Sequence, residues 1–237
     1  MKFKGFTLAE VLITMAIIGV IASMTLPALN TNMLKHQAGT GLTKGMNEIQ
    51  QATMLLLKEQ DARSLSRIGI SNNGDISTAD ANHPQCIQEN FLRCISKQAG
   101  TNRTAGIEFT TTTTIPTYRI FDLTSTYFVP NNSTAYIGKD GITYIYNGDE
   151  GTTMYYYLLD INGNKGPNVM GRDTFKIGVT RKGDVVAVGS AAWQRARGSL
   201  DAPSWQTRCA NNVRPAGNGE DCSGAIADNG GEVRYKF

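Results

Sequence analysis

Histidine is scarce in this chain of 237 residues: only His36 and His83 occur, far apart, and the four cysteines form no Cys-x-x-Cys pair. That scarcity argues against a closed Cys/His zinc site. Charge is scarce as well, with charged residues at 18%, Lys and Arg at 23 against Asp and Glu at 20, and a formal net charge of +3. Both signs are spread along the chain, unlike a polybasic nucleic-acid binder or a highly charged disordered protein. No collagen or solenoid period repeats. Gly-x-Ser-x-Gly, a P-loop, Gly-x-Gly-x-x-Gly and His-Glu-x-x-His are all missing, so no enzyme constellation is present. A mass of 25.7 kDa allows one domain or two modest ones.

Apolar residues are plentiful in one place. Lys2-Phe3-Lys4-Gly5 precedes a run from Phe6 to Leu29 broken only by Thr7, Glu10, Thr14, Gly19, Ser23, Thr25 and Pro27. As a helix at ~1.5 Å per residue this run rises ~36 Å, enough to cross a ~30 Å hydrocarbon layer. A secretory signal has a shorter apolar region of about 7–15 residues, and a buried soluble helix would show a polar face. Glu10 is the anomaly. A charge in the layer costs roughly 2.5–3.5 kcal/mol at its centre and less near an edge, so such an acid calls for a partner. A cut between Gly5 and Phe6 would create an α-amino group four residues from Glu10. Spacing alone leaves open whether that pair forms within one helix or between two.

Lys4-Gly5-Phe6-Thr7-Leu8-Ala9-Glu10 followed by Val11-Leu12-Ile13 resembles the class III signal of type IV pilins and type II secretion pseudopilins, over about an eighth of the chain. The resemblance implies cleavage between Gly5 and Phe6 by a prepilin peptidase/methyltransferase. Phe6 becomes an N-methylated first residue, and Glu10 the acid that docks on a neighbour's N-terminus. Gly19 and Pro27 match positions where pilin helices bend, and proline independently removes an intrahelical hydrogen bond. The implied protein is a structural filament subunit rather than an enzyme, and no cofactor is required. Its implied partners are other pilin or pseudopilin subunits, the membrane, and the assembly platform and ATPase of a secretion or pilus machinery. The implied location is the bacterial inner (cytoplasmic) membrane, single-pass, with a cytoplasmic N-terminus and an extracytoplasmic head that later joins a periplasmic or cell-surface filament. Lys2 and Lys4 favour that orientation, although Lys35 and Lys44 blunt the charge bias.

Downstream, Leu42, Met46, Ile49, Thr53, Leu56 and Gln60 recur at helical spacing and form one face. The expected organisation is a leader at 1–5, a transmembrane helix at 6–29, an amphipathic helix at 30–68 and a β-rich head at 69–237. Gly39, Gly41 and Gly45 each cost ~1 kcal/mol against Ala, so the spine is expected to loosen or break before Leu42. Ten of the nineteen aromatics lie between Tyr118 and Tyr157, which places the head's core there. Gly138–Gly141 and Arg181–Asp184 each sit between strand-like runs as hairpin turns. The Thr110–Thr114 run reads as an exposed strand or linker. The fold class is therefore α+β, pilin-like, with a helix packed across an antiparallel sheet.

Cys86, Cys94, Cys209 and Cys222 lie outside the membrane span and suggest two disulfides. Three pairings are open, with the local ones, Cys86–Cys94 and Cys209–Cys222, preferred. Asp160, Asn162, Asn164 and Asp173 punctuate a loop between two strands. It reads as a plain turn in which Asp and Asn bond the backbone, with a Ca2+ site on those four residues as the alternative. The EF-hand pattern fails at Lys165 and Gly171. A second functional class is a membrane-anchored ligand- or DNA-binding module of an uptake pilus. Its candidates are Arg195, Arg197, Arg208, Arg214, Arg234 and Lys236 near Trp193, Trp205 and Tyr235. Residues 181–237 hold eight basic against six acidic side chains, which disfavours nucleic acid. The head's size leans towards a minor or lineage-specific subunit.

Overall fold

The computed structural model describes residues 5, 7–59, 61–65, 92, 95, 107–130, 133–150, 154–163 and 165–237. One helix, α1 (Leu8–Glu59), dominates it: 52 residues with Pro27 inside, or ~78 Å at ~1.5 Å per residue. Proline withholds one donor, and neighbouring hydroxyls fold back onto carbonyls, Thr31 Oγ1 donating to Pro27 O at 2.9 Å and Thr25 Oγ1 to Ile21 O at 3.0 Å.

The two halves of α1 differ as the sequence pattern requires. Leu8, Leu12, Ile17, Val20, Met24 and Leu29 are all exposed, on every side of the helix. Further along, Ala38, Leu42, Ile49, Ala52 and Leu56 are buried in one stripe against the head. Thr53 shares the stripe without an unmet polar group, because its hydroxyl donates to Ile49 O at 2.7 Å.

The expected break at the glycines does not occur; α1 runs unbroken through Gly39, Gly41 and Gly45. The reason is packing. A Cβ on Gly41 would lie 2.8 Å from Ile161, one on Gly45 2.4 Å from Leu159, and one on Gly39 1.9 Å from the carbonyl oxygen of Gly231. These glycines let the helix approach the head closely, and the apolar surface thus buried offsets their poor helix propensity. The helix also ends at Glu59 rather than continuing to residue 68. Asp61 takes a positive φ of 45°, and the Leu65 N–H donates to Arg181 O at 2.8 Å, which stitches the exit to the head.

The head is a six-stranded antiparallel meander in sequence order. Its strands are β1 (Phe109–Thr112), β2 (Ala135–Gly138), β3 (Thr143–Glu150), β4 (Met154–Asp160), β5 (Thr174–Thr180) and β6 (Val185–Ala187). Both expected hairpins form. Ala135 pairs with Ile145 across one turn, and Ile177 with Ala187 across the other, with Gly141 and Gly183 at positive φ. The threonine run forms the exposed edge strand β1.

Alternation along β4 separates two cores. Tyr155, Tyr157 and Leu159 join the α1 stripe with Phe175, Ile177 and Val179. Leu158 faces the other way with Tyr118, Ile145 and Met170, while Met154 and Tyr156 pack under Val186 and Val188. The middle of the sheet is thus covered on both faces; every β4 residue is buried. Among the described residues the head also carries the short helices α2 (Ala191–Ala196), α3 (Trp205–Arg208) and α4 (Cys222–Asp228). The Cys209–Cys222 disulfide joins the end of α3 to the start of α4, with a Cα–Cα distance of 5.2 Å. Cys86 and Cys94 lie outside the described residues.

Polar clamps fix the helix on the head at several heights. The Gln50 amide donates to Gly183 O at 3.0 Å and accepts from the Val185 N–H at 2.7 Å, closing the β5–β6 turn. The Tyr144 hydroxyl donates to Glu48 at 3.0 Å. Lys44 pairs with Asp140 at 2.9 Å, and Lys35 Nζ donates to Tyr235 O at 2.7 Å.

Candidate functional site

The segment that could carry function is the start of α1. Thr7 is its N-cap. Glu10, three residues on, accepts at Oε2 from both the Thr7 N–H and the Thr7 hydroxyl at 2.8 Å, while the Glu10 N–H donates to Thr7 Oγ1 at 3.3 Å. This reciprocal arrangement is a capping box, which satisfies helix-terminal donors that would otherwise lack partners. Thr7 was missed as a functional residue. The Thr-x-x-Glu spacing ahead of an apolar run is the signal that could have found it. Glu10 stays exposed beside Leu8, Val11 and Leu12, a lone carboxylate on an otherwise apolar surface.

Gly5 is exposed, and among the described residues nothing lies within 4 Å of a Cβ placed on it. Phe6 lies outside the described residues. Gly19 likewise has nothing within 4 Å of a built Cβ, on the bare part of the helix, and Pro27 lies within the continuous helix. Among the described residues α1 is the single helix long and apolar enough to cross a membrane, and it is a candidate membrane anchor.

The Asp160 loop is organised as a turn. Asp160 Oδ1 accepts from the N–H groups of Asn162 at 3.1 Å and Gly163 at 2.9 Å, and its Oδ2 accepts from the Tyr118 hydroxyl at 2.9 Å. Asp173 accepts from the N–H groups of Asn168 at 2.8 Å and Val169 at 2.6 Å, and from the Asn162 amide at 3.3 Å. Asn164 lies outside the described residues. Among those described, no group of three or more His, Cys, Asp or Glu is placed to hold a metal ion. The amide oxygens of Asn162 and Asn168 are buried without a hydrogen-bond partner.

Burial pushes the Asp160 carboxyl up to about 7, against the opposing pull of its hydrogen bonds from Asn162 and Tyr118. Asp173 is raised as well, by burial first. An acid with a raised pKa in the folded state holds its proton where the unfolded chain has lost it. Stability is therefore expected to fall as pH rises from about 4 to about 7, at up to ~1.4 kcal/mol per pH unit, and then level off. Thermal melts of the detergent-solubilised chain followed by tyrosine circular dichroism across that range check this. Asp160→Asn should flatten the slope.

The C-terminal basic and aromatic residues are largely consumed internally. Tyr235 is fully buried and its hydroxyl donates to Gly171 O at 2.6 Å. Trp193 donates to the Tyr156 hydroxyl at 3.3 Å under the Arg197 guanidinium, and Trp205 donates to Asp228 at 2.8 Å. Arg208 pairs with Asp221, and Arg234 with Glu232. No aromatic platform beside free cations results from these contacts.

A long N-terminal helix, apolar and exposed in its first half and packed on an antiparallel sheet in its second, defines a pilin-like α+β protein. Residues 1–26 match the family model described as the prokaryotic N-terminal methylation motif, the class III prepilin signal. That signal supports a likeness to the type IV pilins and pseudopilins, and it implies processing by prepilin peptidase and assembly with other pilin subunits. No solved structure matches the chain.

Proposed function

We propose that this protein is a structural subunit of a type IV pilus-like or type II secretion filament and has no catalytic role of its own. The observation that carries this reading is the bare apolar half of α1, exposed on every side and marked by the single acid Glu10 within the methylation motif. Before assembly the membrane covers that surface, with the N-terminus cytoplasmic and the head across the membrane. After cleavage between Gly5 and Phe6 and methylation of Phe6, the same surface packs against the helices of neighbouring subunits. Glu10 there meets the amine of an adjacent chain. The assembly platform and ATPase supply the work of extraction.

Mass spectrometry of the mature protein tests the reading. The expected N-terminus is methylated Phe6, with Met1–Gly5 lost; a native chain still beginning at Met1 would refute it. Cleavage near Ala22 or Ala28 would instead mark a secreted protein.

The Asp160 loop serves this function as a rigid turn rather than as a Ca2+ site. Both carboxylates already accept backbone N–H groups, which supports the turn. Addition of millimolar Ca2+ after chelation is therefore expected to leave the melting temperature unchanged. A Ca2+-dependent rise lost in Asp173→Asn would establish the metal site.

A further inference from the structure

A groove between α1 and the head has no part in the assembly reading. It encloses about 910 Å³, within the ~300–1,000 Å³ typical of small-ligand sites. Leu34, Ile142, Ile161 and Phe237 give it apolar walls, and Lys165, Arg172 and Asn162 bring polar groups to it. Its lower end, at Thr31 and Leu34, begins two to five residues beyond Leu29, where the apolar run stops. At ~1.5 Å per residue that is about 3–8 Å along the axis, the depth of the headgroup layer bordering a ~30 Å hydrocarbon core.

The charges in the groove are unevenly used. Asp140 is paired with Lys44 at 2.9 Å, and Asp173 is held by the N–H groups of Asn168 and Val169. Among the described residues, Lys165 and Arg172 form no ion pair, although Asp173 attracts Arg172 electrostatically. Arg172 stacks over Phe121 at 5.1 Å and its Nε is buried without an acceptor; burial and Arg214 disfavour its charge, and Asp173 offsets them in part. Both acids thus already have hydrogen-bond or ion-pair partners, while Lys165 and Arg172 are in no ion pair among the described residues. Beside them the Asn162 amide oxygen is buried and lacks a donor. A ligand that satisfies all three groups carries an anion and a hydroxyl next to an apolar body.

We propose that this groove binds the headgroup of an anionic glycerophospholipid from the leaflet on the head's side of the membrane. The phosphate lies between Lys165 and Arg172, and a headgroup hydroxyl donates to the Asn162 amide oxygen. The acyl chains run down past Leu34 towards the bilayer. Such a lipid holds the head against the membrane until the subunit is drawn out, when the contact must break. The proposal rests on α1 being a membrane anchor, a point that flotation of the chain with vesicles settles separately.

The experiment is native mass spectrometry of the full chain released from detergent micelles, with dioleoylphosphatidylglycerol or dioleoylphosphatidylcholine added. The expected result is one phosphatidylglycerol per chain, bound at least about fivefold more tightly than phosphatidylcholine, a difference near 1 kcal/mol. Lys165→Gln and Arg172→Gln should each reduce that affinity by about fivefold or more. Lys165 is exposed, so its substitution keeps the test valid if Arg172→Gln misfolds. Equal retention of the two lipids, or binding untouched by Lys165→Gln, overturns the proposal. Displacement of the lipid by millimolar inorganic phosphate also overturns it, by reassigning the site to a soluble anion.

Discussion

Glu10→Ala is expected to insert and be processed like the wild type yet to enter filaments at least about tenfold less efficiently. Tenfold corresponds to ~1.4 kcal/mol, well within the roughly 2.5–3.5 kcal/mol that an unpaired charge costs at the centre of a membrane. The capping box offers a competing explanation, since losing it would weaken the helix start by about 1 kcal/mol. Two variants separate the causes. Glu10→Gln keeps the side-chain oxygen that accepts from Thr7, because a capping box works with either residue, but removes the charge. Thr7→Ala removes the cap and keeps the charge. If Glu10 acts by meeting a neighbour's amine, Glu10→Gln should be nearly as defective as Glu10→Ala. Thr7→Ala should then be milder. Quantifying each variant in sheared filaments against its cellular pool checks the order. Full incorporation of Glu10→Gln would reduce Glu10 to a cap and remove the assembly role assigned to it.

The features that were legible in the sequence are those set by spacing. The apolar run to Leu29, the stripe from Leu42 to Leu56 and the turns at Gly138–Gly141 and Arg181–Asp184 follow from periodicity and turn chemistry, and each appears in the structure. The capping box is equally legible, in the Thr-x-x-Glu spacing of Thr7 and Glu10 ahead of the apolar run. What could not be read was whatever depends on the partner surface. Gly39, Gly41 and Gly45 look like weak points when weighed by propensity alone. Their role shows only once Gly231, Ile161 and Leu159 are placed against them. The same holds for Asp160 and Asp173. Their alternation with asparagine suits a cation or a turn alike, and the choice depends on where the N–H groups of Gly163 and Val169 point. The end of α1 at Glu59 rather than residue 68 likewise reflects a tertiary bond from Leu65 to Arg181.

Packing at those glycines leads to the second large effect, Gly39→Ala. On propensity alone any Gly→Ala change inside a helix should stabilise by up to ~1 kcal/mol. Gly19→Ala is expected to do so, or to be neutral, since nothing lies within 4 Å of its new methyl group. At Gly39 the methyl group would lie 1.9 Å from Gly231 O, and its neighbour there is backbone with little freedom to yield. Gly231 sits at φ 91°, and its N–H is bonded to Ile226 O at 2.8 Å. A few residues on, Tyr235 is held by Lys35 and Gly171. Either α1 or the C-terminal segment must move, and both carry buried core residues. Overpacking of this kind costs about 1–3 kcal/mol or more, and each kcal/mol lowers the melting temperature of a chain this size by ~2–4 °C. Gly39→Ala is thus expected to melt several degrees below the wild type and to expose residues 232–237 to carboxypeptidase, whereas Gly19→Ala does neither. A Gly39→Ala chain as stable and protease-resistant as Gly19→Ala would mean that the helix does not dock on the C-terminal turn as closely as its glycines allow.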